Sequence, residues 1–369
     1  MKLKITSVLV VISLVVGTSS ATADVIKVGF IGPISGKLAA NGIAGRNSAE
    51  LAVQIRNADS HTQHKYELVA LDDECKPNIG VQVATKMAAD KDIVATIGHF
   101  CSAVATGAVD IYHKFGLPIV VWGAIAPAIT YGNDYGEVFR TIGTLTSQNE
   151  TAIKFMESRG YKRVVMIHDT TAYGAGHQEA FATFAQTSGV DLVESIGVTA
   201  DQQDFTAELT KVKSHNADVI YFGGLVDLGI RVRNQMDKVG VDAQFVGVSG
   251  IIADTFIEGA VNAEGSIAMR QGAPVEDMPG GPKYLKLYEE AQFDNPPEAY
   301  GIYAFTAMNV LLDAIEKAGS DREAIKDTLA GLPEKDYAIG PVRFDSSGQN
   351  TFSLITPVVV KDGKWVKVE

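Results

Sequence analysis

Ile93-Val94-Ala95-Thr96-Ile97-Gly98-His99-Phe100-Cys101-Ser102-Ala103-Val104 changes its pattern midway. Residues 93–97 form an apolar run of strand length, and over 103–112 the Ala, Val and Ile positions recur at helical spacing. Cys101 and Ser102 therefore stand where a strand hands over to a helix. Unpaired backbone N–H groups and the positive end of the helix dipole converge at such a point. A serine hydroxyl there either caps its own helix or holds a carboxylate.

The same alternation surrounds this stretch. Residues 25–30 run into Gly32-Pro33-Ile34-Ser35-Gly36; a helix is expected over 42–58, a strand over 66–71, a helix over 79–89 and a strand over 117–122. Repeated strand–helix order implies a parallel sheet covered on both faces. The run from Gly32 to Lys37 superficially resembles a phosphate loop. It lacks one residue between its glycines and has Leu38 in place of a hydroxyl residue, which excludes nucleotide binding there.

After Phe139-Arg140-Thr141-Ile142-Gly143 and a polar stretch at 144–148 the alternation starts afresh. Strands are expected at 163–168, 192–198, 218–222 and 245–248, separated by helices at 174–187, 205–215 and 228–239. These strands end in Gly, Asp or Ser, and ligands of open α/β sheets gather at such carboxyl ends. A strand at 265–270 leads into a Pro/Gly-rich connection, then helices at 283–291, 299–318 and 322–329. Their long apolar faces need a sheet, so the chain is expected to return to its first half. Extended segments at 342–345 and 353–360 follow, and Lys361-Asp362-Gly363-Lys364 turns the last of them into a hairpin with 365–368. Repeated crossing between two halves makes a hinge.

The chain opens with Lys2 and Lys4, a short apolar run and Ala21-Thr22-Ala23, a secretory signal with cleavage expected before Asp24. Removing 23 of 369 residues leaves 346, more than one core usually serves, and moves the net charge from −12 to −14. That balance makes nucleic acid and anionic membrane surfaces poor partners. No later run reaches the roughly 20 apolar residues of a membrane helix. The two cysteines, Cys75 and Cys101, each follow a strand in an oxidising compartment. A disulfide is expected, on the premise that the two strands are neighbours, contributing on the order of 3 kcal/mol. A zinc site is the weaker reading, because no second Cys or His pair stands at ligand spacing.

Taken in order, Ile26-Lys27-Val28-Gly29, Asp72-Asp73-Glu74-Cys75-Lys76-Pro77, Gly98-His99-Phe100-Cys101-Ser102, Ala126-Pro127, His168-Asp169 with Tyr173-Gly174, Tyr221-Phe222-Gly223-Gly224 and Ile339-Gly340-Pro341 resemble the leucine/isoleucine/valine-binding proteins of branched-chain amino-acid ABC transporters. The likeness spans essentially the whole mature chain. It implies an α/β fold: a two-lobed type I clamshell, each lobe a mostly parallel sheet flanked by helices, with three hinge crossings. Lobe 1 would hold 24–143 plus 274–354, and lobe 2 would hold 144–273 plus 355–369. The residues themselves indicate crossings near Gly143 and Gly272; the third, near Ser353, rests on the resemblance. A periplasmic monomer is implied, closing on a small-molecule solute and engaging a permease in the inner membrane, with no cofactor and no metal.

The resemblance also assigns a pocket. Ser102 matches the serine that grips the solute's carboxylate, whereas the family's threonine after the fourth strand is replaced by Ile125, in Gly123-Ala124-Ile125, whose amide remains available to an anion. Leu225 and Ser249 stand where a tyrosine and a glutamate would hold the ammonium, and Asn41 replaces the aromatic lid. Tyr173 and Tyr300 keep apolar faces, with Trp122 and Leu225 either lining the cleft or packing in the core. An ammonium buried without its carboxylate costs several kcal/mol, so the expected solute is a small organic acid, amide or aromatic compound rather than leucine, isoleucine or valine. Ser102→Ala is expected to cost about 1–3 kcal/mol of binding and little stability; Cys75→Ser is expected to do the reverse.

Two other classes compete. An enzyme would use His168-Asp169 beside Tyr173, but the chain has no Gly-x-Ser-x-Gly elbow and both cysteines are assigned, so His168 reads as a satisfied strand-end residue. His61 and His64 read as solvated surface. A ligand-sensing receptor subunit, reporting to a membrane signalling protein, would use the same lobe closure as a transport protein.

Overall fold

The computed structural model describes residues 25–369, so the signal expected at 1–23 lies outside the described residues. The first half comprises β1 (Val25–Gly32), α1 (Ala39–Ala58), β2 (Lys65–Asp72), α2 (Pro77–Ala89), β3 (Ile93–Ile97), α3 (Ser102–Phe115), β4 (Ile119–Val121), α4 (Ala128–Tyr131) and β5 (Val138–Arg140). All five residues of β3 are buried, as a mainly apolar run requires of a strand covered on both faces, and the buried Thr96 hydroxyl donates to the Ile97 carbonyl. The strands form a wholly parallel sheet in the order β2-β1-β3-β4-β5. β1 thus separates β2 from β3, and the premise that the cysteine-bearing strands are neighbours is wrong. The disulfide forms nonetheless, across the carboxyl end of β1, with the two Cα atoms 5.6 Å apart.

The chain continues through α5 (Leu145–Ser158), β6 (Arg163–Asp169), α6 (Ala172–Ala185), β7 (Asp191–Val198), α7 (Thr206–Ser214), β8 (Val219–Gly223), α8 (Val226–Val239), β9 (Gln244–Gly247), α9 (Asp254–Gly259) and β10 (Ile267–Gln271). The second sheet has its parallel strands in the order β7-β6-β8-β9-β10, which repeats the order of the first strand for strand. α5 was not expected. Its inward face carries Gln148 and Asn149, which break the apolar periodicity yet are fully buried because Gln148 Nε2 donates to the Met269 carbonyl at 2.7 Å and Tyr221 donates to Asn149 Oδ1 at 2.9 Å.

α10 (Gly281–Glu290), α11 (Gly301–Ala318) and α12 (Arg322–Ala330) return to the first sheet. α11 packs on α1, β3 and β4, and the Arg322 guanidinium donates to the carbonyls of Ile93, Ala88 and Phe115. A small hairpin of β11 (Lys335–Tyr337) and β12 (Gly340–Val342) follows. β13 (Ile355–Lys361) and β14 (Lys364–Lys367) then add to the edge of the second sheet as antiparallel strands beside β10. Their turn places Asp362 and Gly363 at φ 52° and 70°, the left-handed pair a tight hairpin uses.

Where the chain passes between the sheets, a buried polar knot ties the strands. Arg140, fully buried, donates to Gln349 Oε1 at 2.5 Å, the Ala126 carbonyl at 2.6 Å and Thr130 Oγ1 at 2.7 Å. Asn350 answers with its backbone N–H to the Arg140 carbonyl at 2.9 Å and its side-chain amide to the Thr141 carbonyl at 3.0 Å. Among the described residues no helix is long and apolar enough to cross a membrane.

Candidate functional site

In a sheet of this order the connections leave in opposite directions at one point, between β1 and β3 in the first sheet and between β6 and β8 in the second, and a crevice opens beyond the strand ends there. The two crevices face each other around a cavity of about 120 Å³. From the first sheet come Phe100, Cys101, Ser102 and Ala103 after β3, Gly123 and Ile125 after β4, and Cys75 with Pro77 after β2. Thr171 and Tyr173 after β6, Leu225 after β8 and Gly250 after β9 supply the opposite wall, and Tyr300, just before α11, closes one side. A link across the rim joins Lys37 Nζ to Asp227 Oδ2 at 3.6 Å.

The loop carrying the first cysteine is pinned by two aspartates. Asp72 Oδ1 accepts from the backbone of Ile34 and Glu74, and Asp73 Oδ1 from Cys75, each at 2.9 Å, which holds Glu74 and Cys75 at positive φ. Burial acts to raise the Asp72 carboxyl, but hydrogen bonds from Ser35, Glu74 and Ile34 outweigh it and hold the group below its usual range. The second oxygen of Asp73 meets His99 Nδ1 at 2.8 Å, and His99 Nε2 meets Tyr112 OH at 2.6 Å. Both cysteine loops are thus fastened to one buried chain behind the disulfide.

Ser102 does not cap α3. Cys101 is the residue before the helix, no side chain caps it, and Ser102 Oγ instead accepts from the backbone N–H of Ile125 at 3.2 Å and of Ala126 at 3.3 Å. With two bonds accepted, the hydroxyl retains its own proton as a donor toward the cavity. The expectation that the Ile125 amide stays available to an anion is corrected by the same bond. The amides of Gly123 and Ala124 are likewise spent, on the His99 carbonyl at 3.2 and 3.0 Å.

Burial pushes the hydroxyl of Tyr173, on the second-sheet wall, well up from its ordinary range and that of Tyr300, before α11, to about 12, so both are neutral. Tyr300 stands edge-on to Phe100, with ring centres 5.1 Å apart. His177 behind Tyr173 is pulled down to about 3 by burial and carries no charge. Among the described residues no Asp or Glu lines the cavity. A buried carboxylate, Asp169, lies behind this wall, but its Oδ1 accepts from the Thr171 backbone at 2.9 Å and from the Thr171 hydroxyl, which commits it to the start of α6.

Of the residues expected at the site, Ser102, Gly123, Ile125, Tyr173, Leu225 and Tyr300 meet around the cavity together with Cys75 and Cys101. Ala124 does not: it is fully buried on the core side, its carbonyl turned to Arg140. Ser249 lies behind Gly250, buried. Asn41 is in the first turn of α1, which begins before the expected Gly42, and is buried rather than in a loop. Trp122 is core, donating to the Ile31 carbonyl at 3.3 Å and backing Phe100 with ring centres 5.4 Å apart. Sequence reasoning gave no role to Phe100, Thr171 or Gly250. Each flanks an expected residue at a strand end, which was the available signal. His168 is satisfied by the Asp169 carbonyl at 2.9 Å, and His61 by Asp59 at 2.9 Å on the surface.

The family model described as "Periplasmic binding protein" matches residues 25–364. This chain belongs to that family. The binding protein is 32% identical over 336 residues to the leucine-, isoleucine-, valine-, threonine- and alanine-binding protein of Pseudomonas aeruginosa, covering 89% of this chain and 88% of that one. A leucine-binding protein from Thermotoga maritima superposes with a TM-score of 0.85 at 25% identity, over 93% of this chain and 98% of that one. A solute-binding protein from R. palustris in complex with benzoate shares the fold with a TM-score of 0.84 at 21% identity, over 93% and 95% of the two chains. The binding protein is thus a two-lobed α/β receptor of the type I class, a substrate-binding protein of the branched-chain amino-acid transporter type.

Proposed function

We propose that this binding protein closes on a small organic anion that has no ammonium group and delivers it to an ABC-transporter permease in the inner membrane, acting in the periplasm as a monomer and without turnover. The observation that carries the reading is the cavity itself. Ser102 presents a hydroxyl donor at the first turn of a helix, the walls are mainly apolar, and among the described residues no carboxylate lines the cavity. A carboxylate is favoured at such a helix start. An ammonium would be left without a counter-charge at a cost of several kcal/mol. A cavity near 120 Å³ is of the order that holds a benzene-sized ring. The benzoate complex of the R. palustris relative supports this solute class, although the curated relatives are named for aliphatic amino acids.

Lobe 1 is read as 24–143 plus 274–354 and lobe 2 as 144–273 plus 355–369. Three observations support these limits: β5 ends at Arg140, β10 at Gln271, and β13 begins at Ile355. Titration calorimetry on the refolded, ligand-stripped mature chain tests the solute class. Benzoate or a similar small acid is expected to bind at micromolar or tighter concentration, and micromolar binding of free leucine would refute the reading.

A further inference from the structure

We propose that Lys37 is the latch of the closed cleft: its ammonium crosses the seam to Asp227 and Asp201, fastens lobe 1 to lobe 2 and so sets how tightly any solute is kept, without touching the solute. This goes beyond the solute class proposed above and rests on the lobe closure described there. The stretch that carries the latch is Gly32–Lys37, excluded above as a phosphate loop. Its stem is fastened to lobe 1, where the Ile34 N–H donates to Asp72 Oδ1 at 2.9 Å and the Asp73 N–H to the Gly32 carbonyl at 3.1 Å. Gly36, at φ 78°, then turns the chain into a short 3₁₀ segment, Gly36–Leu38. Leu38 at its end is 7% exposed. It belongs to an apolar cluster whose other buried members, apart from Cys101 and Val104, all come from lobe 2. The tip of a segment rooted in lobe 1 is thus set at the border with lobe 2.

Lys37 Nζ lies 3.6 Å from Oδ2 of Asp227, in the first turn of α8. A second carboxylate faces it from another loop. Asp201, between β7 and α7, is held below its usual range by a hydrogen bond from Thr199 and further by the charges of Lys37 and Arg231. Arg231 Nη2 donates to the Ala200 carbonyl at 2.6 Å, which ties that loop to α8 and keeps the two carboxylates on one rim. Of the ion pairs among the described residues, Lys37–Asp227 is the one that joins the two lobes; every other lies within one of them. Elsewhere on the seam the facing charges repel, Glu298 before α11 against Asp254 and Glu258 of α9. Lys37 does not line the solute cavity. Its side chain is 65% exposed and that of Asp227 40%, so salt screens the pair and its effect on affinity is a few-fold. A latch of that strength holds a solute and still lets the cleft reopen.

Titration calorimetry of the ligand-stripped mature chain with benzoate, at about 0.01 M and about 1 M salt, tests this beside carbodiimide cross-linking of the loaded protein read by mass spectrometry. An amide cross-link is expected between Lys37 and Asp227 or Asp201. At low salt Lys37→Ala is expected to raise Kd about two- to fivefold and Lys37→Glu about tenfold, both differences shrinking to within about twofold at high salt. Pairing Lys37→Glu with Asp227→Lys is expected to restore most of the lost affinity, which a merely structural lysine would not allow. Absence of the cross-link, equal Kd for the parent and both Lys37 variants at low salt, or a loss that neither salt nor the charge swap removes overturns the proposal. Micromolar leucine binding overturns the solute class instead, and the same Kd ratios then report the latch with leucine as the probe, so the two failures are distinguishable.

Discussion

Ser102→Ala removes one oxygen that does two jobs, and the structure sets the size of each. Its Oγ accepts two long bonds, from Ile125 N at 3.2 Å and Ala126 N at 3.3 Å, both buried. A hydrogen bond contributes about 0.5–1.5 kcal/mol net, so losing two at the long end of the range costs about 1–2 kcal/mol of stability. At about 2–4 °C per kcal/mol for a chain of this order, the unliganded protein should melt about 2–8 °C lower. This replaces the expectation from sequence that melting would hardly change, which assumed a hydroxyl idle in the absence of solute. The second job is donation to the solute's carboxylate, a charged acceptor, and its loss should weaken binding by about 1.5–3 kcal/mol, a roughly ten- to hundredfold rise in Kd. Scanning calorimetry of the stripped protein and titration calorimetry with benzoate measure the two effects separately. An unchanged melting point would refute the assigned bonds, and an unchanged Kd alongside a lowered melting point would make Ser102 a purely structural brace.

Replacing both cysteines with serine should lower stability by about 3 kcal/mol for the 26-residue separation, seen as a lower denaturant midpoint. Because both cysteines line the cavity, benzoate affinity should fall as well, against the sequence-based expectation that it would be spared. Arg140→Met should be among the most damaging single changes, about 3 kcal/mol or more, since it strands buried acceptors on Ala126, Thr130 and Gln349; a melting point within 2 °C of the parent (about 1 kcal/mol) would refute this. Glu298 is pushed up to about 7 by burial and by Asp254 and Glu258 on α9 across the seam. Its neutral form is favoured in the fold, so its stabilising effect is full below the ordinary value near 4.5 and is lost as pH rises to about 7. Glu298→Gln should therefore raise the melting temperature at pH 8 and leave it unchanged at pH 4; the opposite pH order would refute the assignment.

Local pattern carried most of the architecture. The apolar runs of β3, β6 and β8 and the helical spacing of α3, α8 and α11 are visible in the chain because burial imposes a period on consecutive residues. α5 escaped for the converse reason: Gln148 and Asn149 are buried by hydrogen bonds to β10 and β8, and a polar residue satisfied by a distant partner looks exposed in sequence. The cysteine pairing was legible although its stated geometry was not, since strand order is fixed by contacts far apart in the chain.

By itself, then, the sequence determined two α/β halves, a cysteine pair and a serine at a helix start, because the pattern of each strand, helix and turn is local. Tertiary structure alone decided which strand tips face one another. It turned Ala124 and Trp122 into core, gave Ser102 its two backbone donors, and gathered Ser102, Tyr173, Leu225 and Tyr300 from four separate segments around one cavity. Those residues share no local pattern, and only the packing of the two halves brings them around a single cavity.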